Sequence, residues 1–407
     1  MVRRGSAFGA QGVANTACGY AKLGWMPCAE ARAALEDAAV RMAPGMSGQE
    51  LSMTFWAHAK LGWEPGPEAR AALEAGVVRL GSSMQAQNVA NTTWGLATLG
   101  MTPGAAAWAA LEAAMVRVGP GMNAQDVANT VWGAATLGLM PGAAAWAALE
   151  AAVVRMGPSM IAQNMSNTFW SVATLGQMPG AAMWAALQAA VVRLGRGMKA
   201  QDVANSLWSA AKLGMTPGAQ AWAALEAAVV CVGQDMKPQE FSNIFWAYAT
   251  QGWKPGAATW VALGAAVERS GTRMNGQDVA NTLYGVLARA ATRGVPLPAC
   301  YPSLWQAARR LGVGCFPRVQ ITMLFQAYLI HTELVSGDVP DEVEFPGWIM
   351  HEARDAFVRL AWEDRTVSGG HKEIANIIRE LGVPHVVERL TEDGYFSVDV
   401  YLPDSRY

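Results

Sequence analysis

Apolar and polar positions along most of this chain recur in a unit of 38 residues. In one unit, Gln87 to Met122, the stretches QNVANTTWGLATLG and AAAWAALEAAMVRVG carry apolar residues at three- and four-residue spacing, the period of a helix. The first stretch ends at Gly100 and is followed by Pro103 and Gly104, which predicts a helix stop and a turn. Pro27, Pro65, Pro103, Pro141, Pro179, Pro217 and Pro255 hold that turn in every full copy, and Ala, Leu and Glu favour helix on either side. Each unit is therefore predicted to be a helical hairpin. Placed on a helical wheel, the first helix gathers Val89, Ala90, Thr93, Leu96 and Ala97 on a face expected to be buried, with Gln87, Asn88, Asn91, Gly95 and Thr98 opposite.

The register does not slip. Asparagine returns at Asn15, Asn91, Asn129, Asn167, Asn205, Asn243 and Asn281, with Met53 as the replacement. Four residues earlier stand Gln11, Gln49, Gln87, Gln125, Gln163, Gln201, Gln239 and Gln277. Three residues later come Trp56, Trp94, Trp132, Trp170, Trp208, Trp246 and Tyr284, with Cys18 as the exception. A fixed period of this size predicts stacked hairpins, an all-α solenoid, over residues 1–289, followed by a degenerate repeat and linker at 290–340 and a small α/β segment at 341–407.

A solenoid presents one chemical unit many times along a line, which suits a linear ligand. The polar side of successive first helices supplies the candidate contacts: Asn88, Asn91 and Thr98; Asp126, Asn129 and Thr136; Asn164, Asn167 and Thr174; Asp202, Asn205 and Lys212; Glu240 and Asn243; Asp278 and Asn281. Amides both donate and accept on base edges, and small neighbours such as Gly95 let a flat base approach. The position that varies among Asp, Asn and Glu reads as ligand-contacting. For the constant asparagine two roles stand side by side: contact with a ligand, or a structural ladder bonding the neighbouring repeat. The tryptophan at the stripe's margin is expected to pack between repeats rather than stack on bases, and Trp108, Trp146, Trp184, Trp222 and Trp260 of the second helices are expected in the core. Arg41, Arg79, Arg117, Arg155, Arg193 and Arg269 close the second helices, where a cation complements the helix C-terminus; a grip on phosphates is the lesser reading. Lys22, Lys60 and Lys212 end the polar stripe and are better placed for phosphate.

Composition restrains this picture. With 52% hydrophobic and 15% charged residues among 407, the chain can bury a large core, and its formal net charge of -2 provides no global attraction to nucleic acid. Any such binding must come from a local stripe. Cys18, Cys28, Cys231, Cys300 and Cys315 show no metal-ligand spacing and are expected to be free thiols. No apolar run approaches bilayer length, so a soluble protein is expected. The first ten residues are too short for a targeting peptide, and Gln11 already lies in register. His351 and Glu352 open HEARD, which lacks the second histidine of a zinc HExxH site, and no GxSxG or phosphate loop occurs. The expectation is a binding protein rather than an enzyme, with no cofactor, metal or small-molecule substrate.

The phrase QDVANTVWGAATLGLMPGAAAWAAL, Gln125 to Leu149, resembles the octotricopeptide repeat of organellar RNA-binding proteins, a helical hairpin of the same period, and the resemblance runs from about Gln11 to Ala288. It implies sequence-selective binding of single-stranded RNA in chloroplasts or mitochondria, in support of transcript stability, processing or translation, with other proteins of a ribonucleoprotein complex as further partners. A protein-binding scaffold that holds an extended peptide is the alternative. Toward the C-terminus, Ser303 to Leu311 reads as a second helix and Pro317 to Leu329 as a degenerate first helix, with Thr322 and Phe325 in the Asn and Trp places. Helices are expected near His351 to Trp362 and Lys372 to Leu381, then a hairpin about the turn Thr391 to Gly394. HKEIANIIRELGVPHVVERLTEDGYFSVDVYLP resembles the opening of a RAP domain, the module that also closes FAST-kinase-like mitochondrial proteins. RAP domains resemble a metal-dependent nuclease fold; Asp399 matches its first acidic position, but its second acid and lysine have no counterpart here.

Overall fold

The computed structural model describes residues 9–270, 273–291, 297–335, 343–363, 386–390 and 397–401. The chain is an α-solenoid of helical hairpins, and it forms two compact units, Met1–Val232 and Gly233–Tyr407. The division falls inside the repeat array rather than at either of the composition changes read from the sequence.

The first unit contains six hairpins: α1 (Ala10–Leu23) with α2 (Ala29–Met42), α3 (Gly48–Leu61) with α4 (Pro67–Leu80), α5 (Ala86–Thr98) with α6 (Ala105–Val118), α7 (Ala124–Leu137) with α8 (Ala143–Met156), α9 (Ala162–Thr174) with α10 (Ala181–Leu194), and α11 (Ala200–Lys212) with α12 (Ala219–Val232). The Leu-Gly pairs end the first helices because Gly24, Gly62, Gly100, Gly138, Gly176 and Gly214 take φ between 61° and 67°, a left-handed cap that side chains resist. The expected inner face holds: Val89, Ala90, Thr93, Leu96 and Ala97 are all buried. A repeating methionine adds to it, with Met46, Met84, Met122, Met160 and Met198 buried where one hairpin passes to the next.

Adjacent first helices approach closely. A Cβ at Gly95 would lie 3.0 Å from the Phe55 carbonyl oxygen, and one at Gly133 2.7 Å from that of Thr93. Second helices of neighbouring hairpins also pack on one another, less extensively than the first helices do.

Three sets of hydrogen bonds tie each hairpin to the next. Gly66 N–H donates to Glu36 Oε2 at 3.2 Å, and Gly104, Gly142, Gly180 and Gly218 donate likewise to Glu74, Glu112, Glu150 and Gln188. Each acceptor thus caps the following second helix. Arg79 Nη2 donates to the carbonyls of Ala43 and Met46 at 3.0 and 2.8 Å, and Arg117, Arg155 and Arg193 repeat the pair on the hairpin before them. The arginine row therefore serves the terminus of the preceding second helix, not its own. The third set joins first helices and bears on the candidate site.

In the second unit, α13 (Pro238–Gln251), α14 (Ala257–Ser270) and α15 (Gly276–Ala291) keep the repeat chemistry, including the bond from Arg269 Nη2 to Gly233 O. Then follow α16 (Tyr301–Leu311), α17 (Arg318–Ile330) and α18 (Glu352–Glu363), with α17 packed against α15 and α18. Thr322 and Phe325 are buried, so the degenerate repeat keeps a first helix but not an open ridge. Trp305 Nε1 donates to Tyr301 Oη at 2.8 Å, and the Tyr301 hydroxyl and His331 Nδ1 share a hydrogen bond of 2.7 Å. Burial holds the Tyr301 hydroxyl well above the usual phenol range and the His331 imidazole below its own. The expected hairpin is present as β1 (Val386–Leu390) and β2 (Ser397–Tyr401), antiparallel with Val387 opposite Val400. The expected helix at Lys372 to Leu381 lies outside the described residues, as does the turn Thr391 to Gly394. Among the described residues no helix is long and apolar enough to cross a membrane.

Candidate nucleic-acid interface

The structure separates the candidate residues into two groups and reverses part of the sequence reading. The varying position is not on the open stripe. Asn88, Asp126, Asp202 and Asp278 are buried, and each accepts from the backbone N–H of its own helix's N-cap residue: Gln85 to Asn88 Oδ1 at 3.0 Å, Asn123 to Asp126 Oδ2 at 3.2 Å, Lys199 to Asp202 Oδ2 at 3.1 Å, and Asn275 to Asp278 Oδ2 at 3.1 Å. Glu240 does the same for Lys237 while only half-buried. Several also reach back across the stack: Asn88 Nδ2 donates to Ser52 Oγ, the Ser166 hydroxyl donates to Asp202 Oδ1 at 2.7 Å, and the Ser242 hydroxyl to Asp278 Oδ1 at 3.2 Å. The inter-repeat ladder exists, but the acidic position three residues before the constant asparagine builds it. Acceptors at this place satisfy orphan donors of the first turn and complement the helix dipole.

Burial raises the carboxyl pKa of Asp126 and of Asp278 above the ordinary value, with the N-cap N–H of Asn123 and Asn275 pulling the other way. Asn164, of the same position, is half-buried.

The constant asparagine faces outward. Asn91, Asn129, Asn167, Asn205 and Asn243 are half-buried on the first helices, and among the described residues no side chain or backbone group pairs with the side-chain amides of Asn91, Asn129, Asn167 or Asn205. Asn281 departs from this pattern, being buried. Flanking them on the same ridge stand exposed Gln87, Gln125, Gln163 and Gln201 at one end and exposed Thr98, Thr136, Thr174 and Lys212 at the other. The tryptophans complete the ridge: Trp94, Trp132, Trp170 and Trp208 are half-buried rather than sealed. Trp56 shows how they sit, packed against a buried cluster of Ala17 and Cys18 of the preceding hairpin and Ala57 of its own while part of its surface stays accessible. Lys60 Nζ lies 5.4 Å from the centroid of the Trp94 ring in the next hairpin, a cation–π distance. The small stripe residues Gly95, Gly133, Ser171 and Ser209 are buried, where they allow first helices to touch rather than a ligand to approach. Of the second-helix tryptophans, Trp146 is buried, and Trp184 and Trp260 meet Phe169 and Phe245 edge to face at 5.6 and 5.5 Å.

A cleft of about 500 Å³ opens where the starts of α9 and α11 meet the end of α10. The ridge residues Gln163, Asn167 and Gln201 line it together with Arg193 and Lys199.

A family model described as "Protein of unknown function (DUF1601)" matches residues 120–131 and 263–283. Both segments carry QDVANT, Gln125 to Thr130 and Gln277 to Thr282, the start of the first helix with its N-terminal cap acid and its asparagine. No curated protein matches the chain.

Proposed function

We propose that this chain binds single-stranded RNA along its first-helix ridges, with the tryptophans as stacking platforms and the neighbouring asparagines and glutamines as readers of base edges. The observation that carries the reading is the repeated juxtaposition, on one accessible ridge, of an indole and an amide that no protein group engages. Aromatic faces accept any base, and amides on the same side add selectivity. Hairpins repeat about every 10 Å, so the ridges of α5, α7, α9 and α11, which carry both an indole and an amide, serve on the order of four nucleotides if each meets one base. The acidic cap position is left out of recognition. Together with the octotricopeptide-like phrase, this points to support of organellar transcripts, and the RAP-like C-terminal segment fits the same setting as a further protein- or RNA-contacting module.

The test is anisotropy with a labelled, sequence-randomised 12-nucleotide RNA. Trp132→Ala is expected to weaken binding by about 1–3 kcal/mol and Asn129→Ala to alter sequence preference at one base, while Asp126→Asn changes neither. The net charge of -2 favours a second reading, an extended peptide held in the same groove. Affinity for RNA falls steeply between 50 and 200 mM salt; absence of RNA binding, with salt-independent capture of peptides, overturns the first reading.

A further inference from the structure

Between α9 and α11 the repeat opens a cavity with the chemistry of an anion site. In α3 and α7 the N-cap residue supplies an acceptor: the Ser47 hydroxyl accepts from Glu50 N–H, and Asn123 Oδ1 accepts from the N–H groups of Gln125 and Asp126 at 2.9 and 2.8 Å, whereas Gly9, Gln85 and Lys237 open α1, α5 and α13 without a side-chain cap. The two first helices that border the cleft have Ile161 and Lys199 in that place, and neither N-cap side chain satisfies the first turn. Ile161 has no polar atom, and an ammonium has no lone pair to offer. The turn between α10 and α11 differs as well. Gly195 adopts φ 41°, ψ -123°, and Arg196 replaces the proline found at Pro44, Pro120 and Pro158. The arginine that would bond the carbonyls of Gly195 and Met198 is Cys231 instead.

The cleft takes about 500 Å³, within the range of small-ligand sites. Arg193 and Lys199 bring positive charge, and Gln163, Gln201 and Asn167 bring amide donors. Arg193 spends Nη2 on Gly157 and Met160, which fixes the guanidinium in position. The one carboxylate in the lining, Asp202, is already engaged by Lys199 N–H and the Ser166 hydroxyl.

We propose that this cleft is a phosphate subsite, which holds one phosphodiester group of a strand lying on the ridges that Gln163 and Gln201 begin. The proposal rests on the RNA reading for the source of the phosphate, and its chemistry is shared by a free nucleotide. Both sources are tested with the full chain. Lys199→Ser removes the cation and installs the acceptor that Ser47 provides in α3, so the fold is retained, as circular dichroism checks. With the randomised 12-nucleotide RNA, Lys199→Ser is expected to weaken binding about 3- to 10-fold and to lower the slope of log affinity against log salt by about 1. Lys254→Ser, an equal loss of charge on an exposed loop of the second unit, should leave both unchanged. RNA binding whose affinity and slope ignore Lys199 overturns the subsite and leaves the RNA reading standing. If RNA fails to bind while adenosine monophosphate binds in a Lys199-dependent manner by titration calorimetry, the subsite holds for a free nucleotide and the RNA reading falls. Binding of neither overturns both.

Discussion

At the residue scale, of two polar positions three residues apart, the one read as ligand-contacting is the buried cap, and the one left between two roles is the one that faces outward. Variation among Asp, Asn and Glu looks like a reading code, yet all three share the property an N-terminal cap needs, an oxygen that accepts from backbone N–H. Constancy looks like structure, yet the constant asparagine is the one that faces outward. The buried acid has a pH signature. Burial raises the Asp126 pKa, so the folded chain holds this proton more tightly than the unfolded one. The group's contribution is therefore fully favourable below the unfolded carboxyl value of about 3.9 and is lost as pH rises through the raised folded value. Asp126→Asn keeps an acceptor for Asn123 N–H, as Asn88 does for Gln85. It is expected to raise the melting temperature at pH 7, with the gain shrinking toward pH 4. Equal melting shifts at both pH values would refute the argument.

At the element scale, hairpins and their boundaries were legible because every signal agreed: helical period, Leu-Gly stop, proline turn and a buried face that matches the wheel. The ridge was legible too, although it was drawn too wide. At 100° per residue, Gln87, Asn91, Trp94 and Thr98 fall within an arc of about 60°, whereas Gly95 and Asn88 lie beside it. Once a neighbouring first helix covers that flank, those two are buried and the tryptophan is not. What the wheel cannot supply is the distance between hairpins, and glycine carries that information. Gly133→Ala would place a Cβ 2.7 Å from both Thr93 Cγ2 and Thr93 O. A clash with backbone is not relieved by a rotamer change, so a loss of about 1–3 kcal/mol is expected, read as a lower urea midpoint. Gly121→Ala meets nothing within 4 Å and serves as the matched control.

At the scale of the whole molecule, the division into units at Val232 and Gly233 had no mark in composition, since the repeat phrase continues through Ala204 and Ala280 on either side. The sequence does record where the stapling between second helices lapses. The stack in the first unit is held by many small, nearest-neighbour bonds, and stability in such an array is close to a sum over hairpins and their interfaces. Arg79, Arg117, Arg155 and Arg193 each donate to two carbonyls of the turn after the preceding second helix, and Cys231 leaves the pair at Gly195 and Met198 without a guanidinium. Cys231→Arg places a guanidinium at the same offsets of 36 and 33 residues that Arg193 spans. A charged hydrogen bond to carbonyls at an accessible edge should add about 1 kcal/mol, which for a unit of this size shifts melting by roughly 2–4 °C. The same substitution ties down the turn that borders the cleft, so its effect on RNA binding should follow the cleft and not the ridge. Affinity for the randomised RNA is expected to fall with Lys199 still present, and the Trp132→Ala penalty to stay the same size. A stabilised variant with unchanged RNA affinity would separate the open turn from ligand binding and leave it as a tolerated gap in the staple.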